Sequence, residues 1–415
     1  MTDNTVVPDS LPEPRPSSDR IAEREVALRA LAGQTAPAKP AGAAGMLTDR
    51  ILLHTSWTIG RQLLPLLPSS VGGLVFRGSG AATAIKHLRK TRFDRPILID
   101  PEGYTQAAAT EDIPFVLTSD DDGGMFGLTL EQELQRQRDC DADVILTPTG
   151  YFYAGDSDAL RAAVDIAGQL EGDDVMFSAP LDVAWFTDEH IEHLIAVLAG
   201  LSMPKAVFLG GQFDPMQRYK AAVVNLRRFI AEAGDIAVFR TDLTGFDVMS
   251  HGAFATSIGS GGSLRHMIPF GQFARANKDD TSPSVLFGDL MSFHKGSTLH
   301  TRFADAIRPP ICDCPACGGR ALTTFLDRAD SNLAHQHSMC TWASWIEDLL
   351  NRRTLADRAT WWRNRCAGAI THTDVVNIQI NQPEGFTPPD TLRAWAELPA
   401  WLSATQPTTK RSRTR

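Results

Sequence analysis

Long apolar runs are missing from this 415-residue chain: nowhere do about 18 consecutive apolar residues occur, the length a membrane-spanning helix needs. The first residues, MTDNTVVPDSLPEPRPSSDR, lack both a basic flank and an apolar stretch, so no secretory leader is read there. Cysteine is scarce. Only six occur, with Cys140, Cys340 and Cys366 scattered, which excludes the dense disulfide framework of a small secreted domain. A reduced, cytoplasmic protein without membrane contact is the expectation. A basic surplus is absent too: 40 Lys+Arg against 49 Asp+Glu give a net charge of −9. A nucleic-acid partner would therefore have to meet a local basic patch, since the field of the whole molecule is repulsive.

What is present is a composition 43% hydrophobic, enough to fill the core of one large domain with appendages or of two ordinary domains. Residues 1–45, rich in Pro, Ala and charge, are expected to be a mobile segment, and residues 406–415 a short basic tail suited to solvent or to a phosphate backbone. Between them one phrase recurs: a short apolar run, a polar or glycine-rich turn, then a helical pattern. The runs are RILLHTSW, GLVFRGSG, PILIDPEGY, DVILTPTGYF, DVMFSAPLD, KAVFLGGQFD, IAVFRTDLTG and AFATSIGSGG. Strands alternating with helices mean parallel pairing through helical crossovers, and eight such units close into a (β/α)₈ TIM barrel, here over residues 46–300. An open doubly wound sheet is the competing architecture. The barrel is favoured by the number of runs and by the polar residues just after them, where a barrel places its active site: Trp57, Arg77, Asp100, Thr147, Thr149, Asp182, Gln212, Arg240, Asp242 and Ser260. Residues 301–405 then read as a zinc-binding and helical appendix, with helices expected over 339–353 and 354–370.

The appendix opens with ICDCPACGGR, which packs Cys312, Cys314 and Cys317 into six positions. Neighbours in C-x-C are poorly placed for a mutual disulfide, whereas three thiolates in a Pro/Gly loop suit a tetrahedral Zn²⁺. NLAHQHSMC offers His335, His337 and Cys340 as a fourth ligand, and His337, just ahead of the expected helix, is the one chosen. Four protein ligands leave no position for water, so this metal holds structure and the chemistry lies elsewhere.

The C-x-C-x-x-C cluster, followed by a histidine before a WIEDLL helix and set after an eight-stranded α/β pattern, resembles the tRNA-guanine transglycosylase family. RPILIDPEGYTQ is similar to that family's R-P-L-L-T-D-S-G-G-F-Q, and LTLEQELQRQRDCDADVIL to its L-T-P-E motif ahead of the fourth strand. The resemblance spans about residues 50 to 350. It implies a TIM barrel with a structural Cys₃His zinc site that exchanges guanine in a polynucleotide for a 7-deazaguanine, with Asp100 as the acid/base group. The departures are also informative: TPTG replaces the aspartate expected after the fourth strand, and GAFATSIGSGGSLRH carries no carboxylate where the family's nucleophile sits. The pattern looks more like the branch of the family that works on DNA, inserting 7-cyano-7-deazaguanine or a relative.

Exchanging a base without cutting the backbone requires attack at the sugar C1′ while the purine leaves, work for a pair of carboxyl groups. By elimination the nucleophile is Asp242, whose competing role is helix capping; Asp182, Asp247 and Asp289 are the alternatives. Substrate contacts are expected from Thr147 and Thr149, from Gly210, Gly211 and Gln212 after the sixth strand, from Arg240, and from Ser260 and Arg265 in a glycine-rich turn suited to phosphate. His54 and His251 have no partner spacing and read as ordinary histidines, and TWWRNR (360–365) reads as packing more than as base stacking. DNA, a 7-deazaguanine base and an ATP-dependent helicase-like partner are the expected companions. The tRNA enzyme proper and a non-catalytic nucleic-acid-binding subunit are the alternatives.

Overall fold

The eight apolar runs become eight parallel strands: β1 (Arg50–Ser56), β2 (Leu74–Arg77), β3 (Ile97–Asp100), β4 (Ile145–Leu146), β5 (Val175–Asp182), β6 (Lys205–Gly210), β7 (Ile236–Thr241) and β8 (Ala255–Gly259). They pair in the order β3-β2-β1-β8-β7-β6-β5-β4 in a computed structural model that describes residues 18–117, 128–273 and 279–402. At the seam, a single parallel bridge from Leu98 to Val144 brings β3 to β4. The (β/α)₈ expectation is met. The expectations for residues 1–17, for the basic tail 406–415 and for part of the loop after β8 (274–278) lie outside the described residues.

Period-two alternation divides each strand between two cores. Leu52, Val75, Leu98, Met176, Phe208 and Phe239 point inward and fill the barrel. Their neighbours Leu53, Leu74, Ile97, Phe177, Val207 and Val238 point outward against the crossover helices. Those helices are α2 (Trp57–Leu63), α3 (Ala81–Lys90), α4 (Leu130–Asp139), α5 (Ser157–Ala167), α6 (Ile191–Ala199), α7 (Ala222–Glu232) and α8 (Thr244–Ser250), preceded by α1 (Ser18–Ala32). Local signals start several of them: Thr129 and Gln132 form a reciprocal capping box on α4, and Asp156 caps α5.

Residues 18–45 correct the expectation of mobility. Arg24 pairs with Glu232 at 2.6 Å, Leu28 is buried, Leu355 N donates to Gln34 O, and Ala44 and Leu47 close the lower end of the inner core. A polar, Pro- and Ala-rich segment is ordered here because it covers apolar surface that the barrel leaves open.

A buried ion pair joins α7 to α8: Arg227 donates to both oxygens of Asp247 at 3.0 and 2.6 Å, with side chains 3% and 1% exposed. Removing one partner strands the other charge, so Arg227→Leu is expected to lower unfolding free energy by about 3–5 kcal/mol. Denaturant midpoints measure it, and an unchanged midpoint would show the pair to be dispensable.

Beyond β8 the appendix runs through β9 (Ser284–Phe287), β10 (Ser292–Lys295), α9 (Gly296–Arg302), β11 (Ile311–Cys312), β12 (Arg320–Ala321), α10 (Ser331–Ala343), α11 (Ile346–Leu350), α12 (Leu355–Gln379) and α13 (Asp390–Glu397). The helix expected over 339–353 is instead two, broken at Ser344, so that Trp342 and Trp345 are both buried. The β9–β10 hairpin shares a core with α9, α10 and α12 through Val285, Phe287, Phe303, Ala334 and Val376. Trp362 of α12 stacks on Phe246 of α8 at 5.4 Å, fixing the appendix to the barrel. TWWRNR therefore packs through Trp362, while Trp361 stays half-buried. Among the described residues no helix is long and apolar enough to cross a membrane.

Candidate active site and metal centre

One layer above the inward Leu52, Val75 and Leu98, the same alternation places His54, Arg77 and Asp100 at the C-terminal mouth of the barrel. Asp100 is 1% exposed. Its Oδ1 accepts from Glu102 N at 2.9 Å and its Oδ2 from Tyr104 OH at 2.5 Å. His54 Nε2 lies 3.2 Å from Oδ2, a close contact outside hydrogen-bond alignment, and His54 Nδ1 is 3.2 Å from Ser257 Oγ. Arg240 closes the group: it donates to Glu102 at 3.0 Å, to Tyr104 OH at 2.6 Å and to Ser263 O at 3.0 Å, and lies 4.0 Å from Asp100. Arg77 Nε, on a half-exposed side chain, lies 2.7 Å from Glu102 and carries the network toward solvent.

Arg240 owes its inward aim to a break in β7. Phe239 already points inward, so strict alternation would turn Arg240 out. The β7–β8 register slips between Val238 and Thr241, and Arg240 takes a φ of 56°. Such a bulge re-aims a side chain. Glu102, its ion partner, also sits in the left-handed region, at φ 52°. Each holds a conformation that costs about 1–3 kcal/mol, offset here by the ion pair between them.

The charges set each other. Burial pushes the Asp100 carboxyl up, but His54, Arg240 and Tyr104 outweigh it and hold Asp100 below the usual carboxylate range. Burial pulls His54 down against the opposing pull of Asp100, and it pushes the Tyr104 phenol well up, so that Tyr104 keeps its proton. A second carboxyl group stands on the loop after β6. Burial and the charge of Asp242 push Asp214 up to about 7. The sequence reading missed Asp214, although it lies only two residues beyond Gln212.

Other expected contacts are placed differently. Thr147 and Thr149 turn their hydroxyls to each other at 2.8 Å, and Thr147 Oγ1 also accepts from Ser178 N, so the pair ties β4 to β5. Gly211 N donates to Met267 O, and Gln212 Nε2 to Gln272 Oε1 and Phe273 O; this strip of backbone and amide is spent on the chain after β8. Ser260 is buried, its hydroxyl on Thr55 Oγ1. The turn around it is tight enough to require glycine at 259, where a Cβ would lie 2.1 Å from Leu264 O. Arg265 is buried as well, 3.3 Å over the Phe293 ring and bonded to Ser284, so it joins barrel to appendix and does not face a phosphate. The structure does not bring Asp242 to Asp100: its Oδ1 accepts from Thr244 N and Oγ1, the capping role considered above. Of the alternatives, Asp182 is at the mouth, accepting from Tyr151 OH at 2.8 Å. Asp247 is locked to Arg227, and Asp289 is exposed on the appendix, 3.8 Å from His372. His251 is buried between the carbonyls of Asp247 and Ala400.

Two further histidines set an acid limit on the fold. His266 and His294 are pushed to about 4, chiefly by burial, with Arg240 and Arg265 adding to the effect on His266. Between pH 6.5 and about 4 the unfolded chain binds these protons and the folded chain does not. Stability is therefore full above pH 6.5 and declines as pH falls toward 4. Thermal melts across that range will show the decline, and Gln at both positions will make it shallower, since His251 and His335, also pushed to about 4 by burial, still contribute.

In the appendix the ligand atoms of Cys312, Cys314, Cys317 and His337 all lie within 4.8 Å of one another. Bonds of about 2.0 Å to N and 2.3 Å to S give a tetrahedral N···S edge of roughly 3.5 Å. The Nδ1 of His337 is 3.3 Å from Cys317 Sγ and 3.8 Å from Cys314 Sγ. Its Nε2 faces Leu286 O at 2.8 Å, the outer hydrogen bond that orients a ligating imidazole. The four side chains make a site able to hold a metal ion such as zinc. His337 is the histidine selected, but it sits inside α10 and not ahead of a helix.

No family model matches the chain, and no curated protein matches it. Solved structures that match include a Burkholderia cenocepacia protein assigned as a phosphonomutase, 14% identical, TM-score 0.29, covering 58% of this chain and 92% of that one. Another is the carboxyl transferase domain of Rhizobium etli pyruvate carboxylase with pyruvate and biocytin, 11% identical, TM-score 0.32, covering 60% and 52%. A third is a variant of Rhizobium etli pyruvate carboxylase with acetyl coenzyme A, 9% identical, TM-score 0.33, covering 90% and 35%. This chain thus spans about half of the second and a third of the third. At these scores and identities they assign no chemistry to it.

Proposed function

We propose that the protein is an enzyme that exchanges guanine in DNA for a 7-deazaguanine base of the 7-cyano type, with a structural zinc in the appendix. The observation that carries this reading is Asp100. It is a carboxylate held ionised at the end of β3, within the stretch that resembles the transglycosylase motif, and surrounded by His54, Tyr104, Glu102 and Arg240. Where the family motif has glycine, this chain has Glu102 in a left-handed conformation, which adds a second carboxylate to the mouth.

In the first half of the exchange the bond from C1′ to guanine N9 breaks, positive charge develops on the sugar, and guanine takes up a proton. An ionised carboxylate stabilises that charge, by covalent capture or through space. Asp100 fits this role. The proton needs a second carboxyl group near the base, and Glu102 and Asp182, both at the mouth, are the candidates for it. This gives Asp100 the charge-stabilising role in place of the acid/base role that the family resemblance implied, and it replaces Asp242, chosen above by elimination, as the nucleophile. In the second half the incoming base attacks C1′ through N9 and gives up its N9 proton to that second carboxyl group. Zinc, four-coordinate, takes no step: Cys312, Cys314, Cys317 and His337 would hold it, and it would fix α10 against the cysteine loop.

The sealing of Asp100, with both oxygens engaged, favours a second reading: a non-catalytic nucleic-acid-binding subunit. Incubation with radiolabelled guanine or 7-cyano-7-deazaguanine and either plasmid DNA or bulk tRNA separates the readings. Label in DNA supports the proposal, and label in tRNA alone replaces DNA by tRNA as substrate. Label in neither, even with an ATP-using helicase-like partner present to open the duplex, supports the non-catalytic subunit.

A further inference from the structure

Large aromatic rings left in water forgo the gain of burial, and here three of them crowd one side of the barrel mouth. Phe273 is 93% exposed, Phe213 59% and Tyr153 42%. They come from three different loops, after β8, β6 and β4, and hydrogen bonds draw those loops together. Gln212 Nε2 donates to Phe273 O at 3.0 Å, Tyr153 OH donates to Phe270 O at 2.9 Å, and Gly211 N donates to Met267 O at 2.8 Å. The chain from 267 to 273 is thus fastened across the ends of β4 and β6. Phe213 holds its outward position at φ 58°, a conformation that a bulky residue rarely adopts.

The rings continue inward. Tyr153 meets Tyr151 edge to face at 5.1 Å, and Tyr151 OH bonds Asp182 at the mouth. Cations flank the outer edge: Arg218 and Lys220 are exposed on the loop that bears Phe213, with the Arg218 guanidinium 5.4 Å over Tyr219. Flat π faces edged by cations are the chemistry that receives unstacked nucleobases and their phosphates.

We propose that Tyr153, Phe213 and Phe273 form a stacking shelf for unpaired bases of a polynucleotide strand, with Arg218 and Lys220 toward its phosphates. Resting on the base-exchange reading above, the shelf holds the nucleotides next to the target while that base is turned into the mouth. A protein of net charge −9 needs such a local device, because its overall field repels a polyanion.

The test is fluorescence anisotropy of a labelled mixed-sequence single-stranded DNA oligonucleotide with the full chain. Phe213→Ala and Phe273→Ala are each expected to weaken binding by roughly 5- to 150-fold, the range for one lost stacked base, while Phe213→Tyr binds as wild type. Arg218→Gln is expected to lower the salt slope by about 1. Both rings are exposed, so melting temperatures should not move. Tight binding by wild type and equally tight binding by the Phe213→Ala/Phe273→Ala double variant would overturn the shelf and leave the exchange reading standing. Absence of binding by wild type would overturn both.

Discussion

Asp100→Asn is expected to lower base exchange by about 10²–10³-fold, the range for loss of one preorganised group facing charge that develops in the transition state, with the fall in kcat and not in KM. The substitution keeps the shape of the side chain, and Oδ1 can still accept from Glu102 N. What disappears is the charge. Oδ2 is the atom that Tyr104 OH bonds at 2.5 Å and that His54 and Arg240 approach at 3.2 and 4.0 Å, so three groups lose the anion they face. Glu102 remains to balance Arg240, which limits the stability cost to that of one charge-assisted hydrogen bond, about 1.5–3 kcal/mol. A catalytic loss without a matching collapse of the melting temperature is the expected combination. If the Asp100→Asn protein exchanged base at the wild-type rate, the mouth network would be structural only.

A metal ion held by Cys312, Cys314, Cys317 and His337 is expected to contribute more stability than any single side chain of the barrel. Structural zinc sites in small peptides bind with about 10–16 kcal/mol, as much as the whole stability of a typical domain. The geometry shows how that energy would be spent. Three ligands hang on the turn between β11 and β12, where Gly318 and Gly319 have φ of 54° and 91°, and the fourth is inside α10. Without the ion, three thiols and an imidazole are left facing one another, and α10 loses its metal link to that turn of chain. The β9–β10 hairpin shares the same core and bonds His337 through Leu286 O, so it should loosen with α10. Treatment with a strong chelator, or Cys317→Ser, is expected to release one zinc per chain, to open residues 284–345 to protease and to lower the melting temperature. His335→Ala should retain the metal. A chelated protein that melts with the untreated one would show the cluster to be four unliganded side chains.

The barrel was legible because each strand repeats the same local grammar: an apolar run, a turn, an amphipathic helix. Strand starts came out within two residues for all eight, and both ends did so for β1 and β5, the other runs reading on into the turn. Cysteine spacing revealed three ligands, since all three sit in one short loop, and the fourth was among the histidines nearby. The mouth was harder to read. His54 and Asp100 are 46 positions apart and meet only because β1 and β3 carry them at the same height of a closed barrel. Counting inward residues from Leu52 and Leu98 would have found that pair. Counting would have failed for Arg240, because the β7 bulge reverses the alternation there. Polar residues after strands are also not all offered to a ligand: Thr147, Gly211, Ser260 and Arg265 are consumed by the chain itself, through Ser178, Met267, Thr55 and Ser284. Residue type at a strand end says that a side chain or amide can bind a substrate. The loops decide whether it is still available.

The central claim is that Asp100 supports removal of guanine from an intact strand. DNA carrying radiolabelled guanine, incubated in single-stranded form with the protein and unlabelled 7-cyano-7-deazaguanine, tests it most directly. The account predicts that label leaves the polymer while the strand keeps its full length, and that Asp100→Asn retains the label. Label held by the wild-type protein, or released as fast by the Asp100→Asn variant, would contradict it.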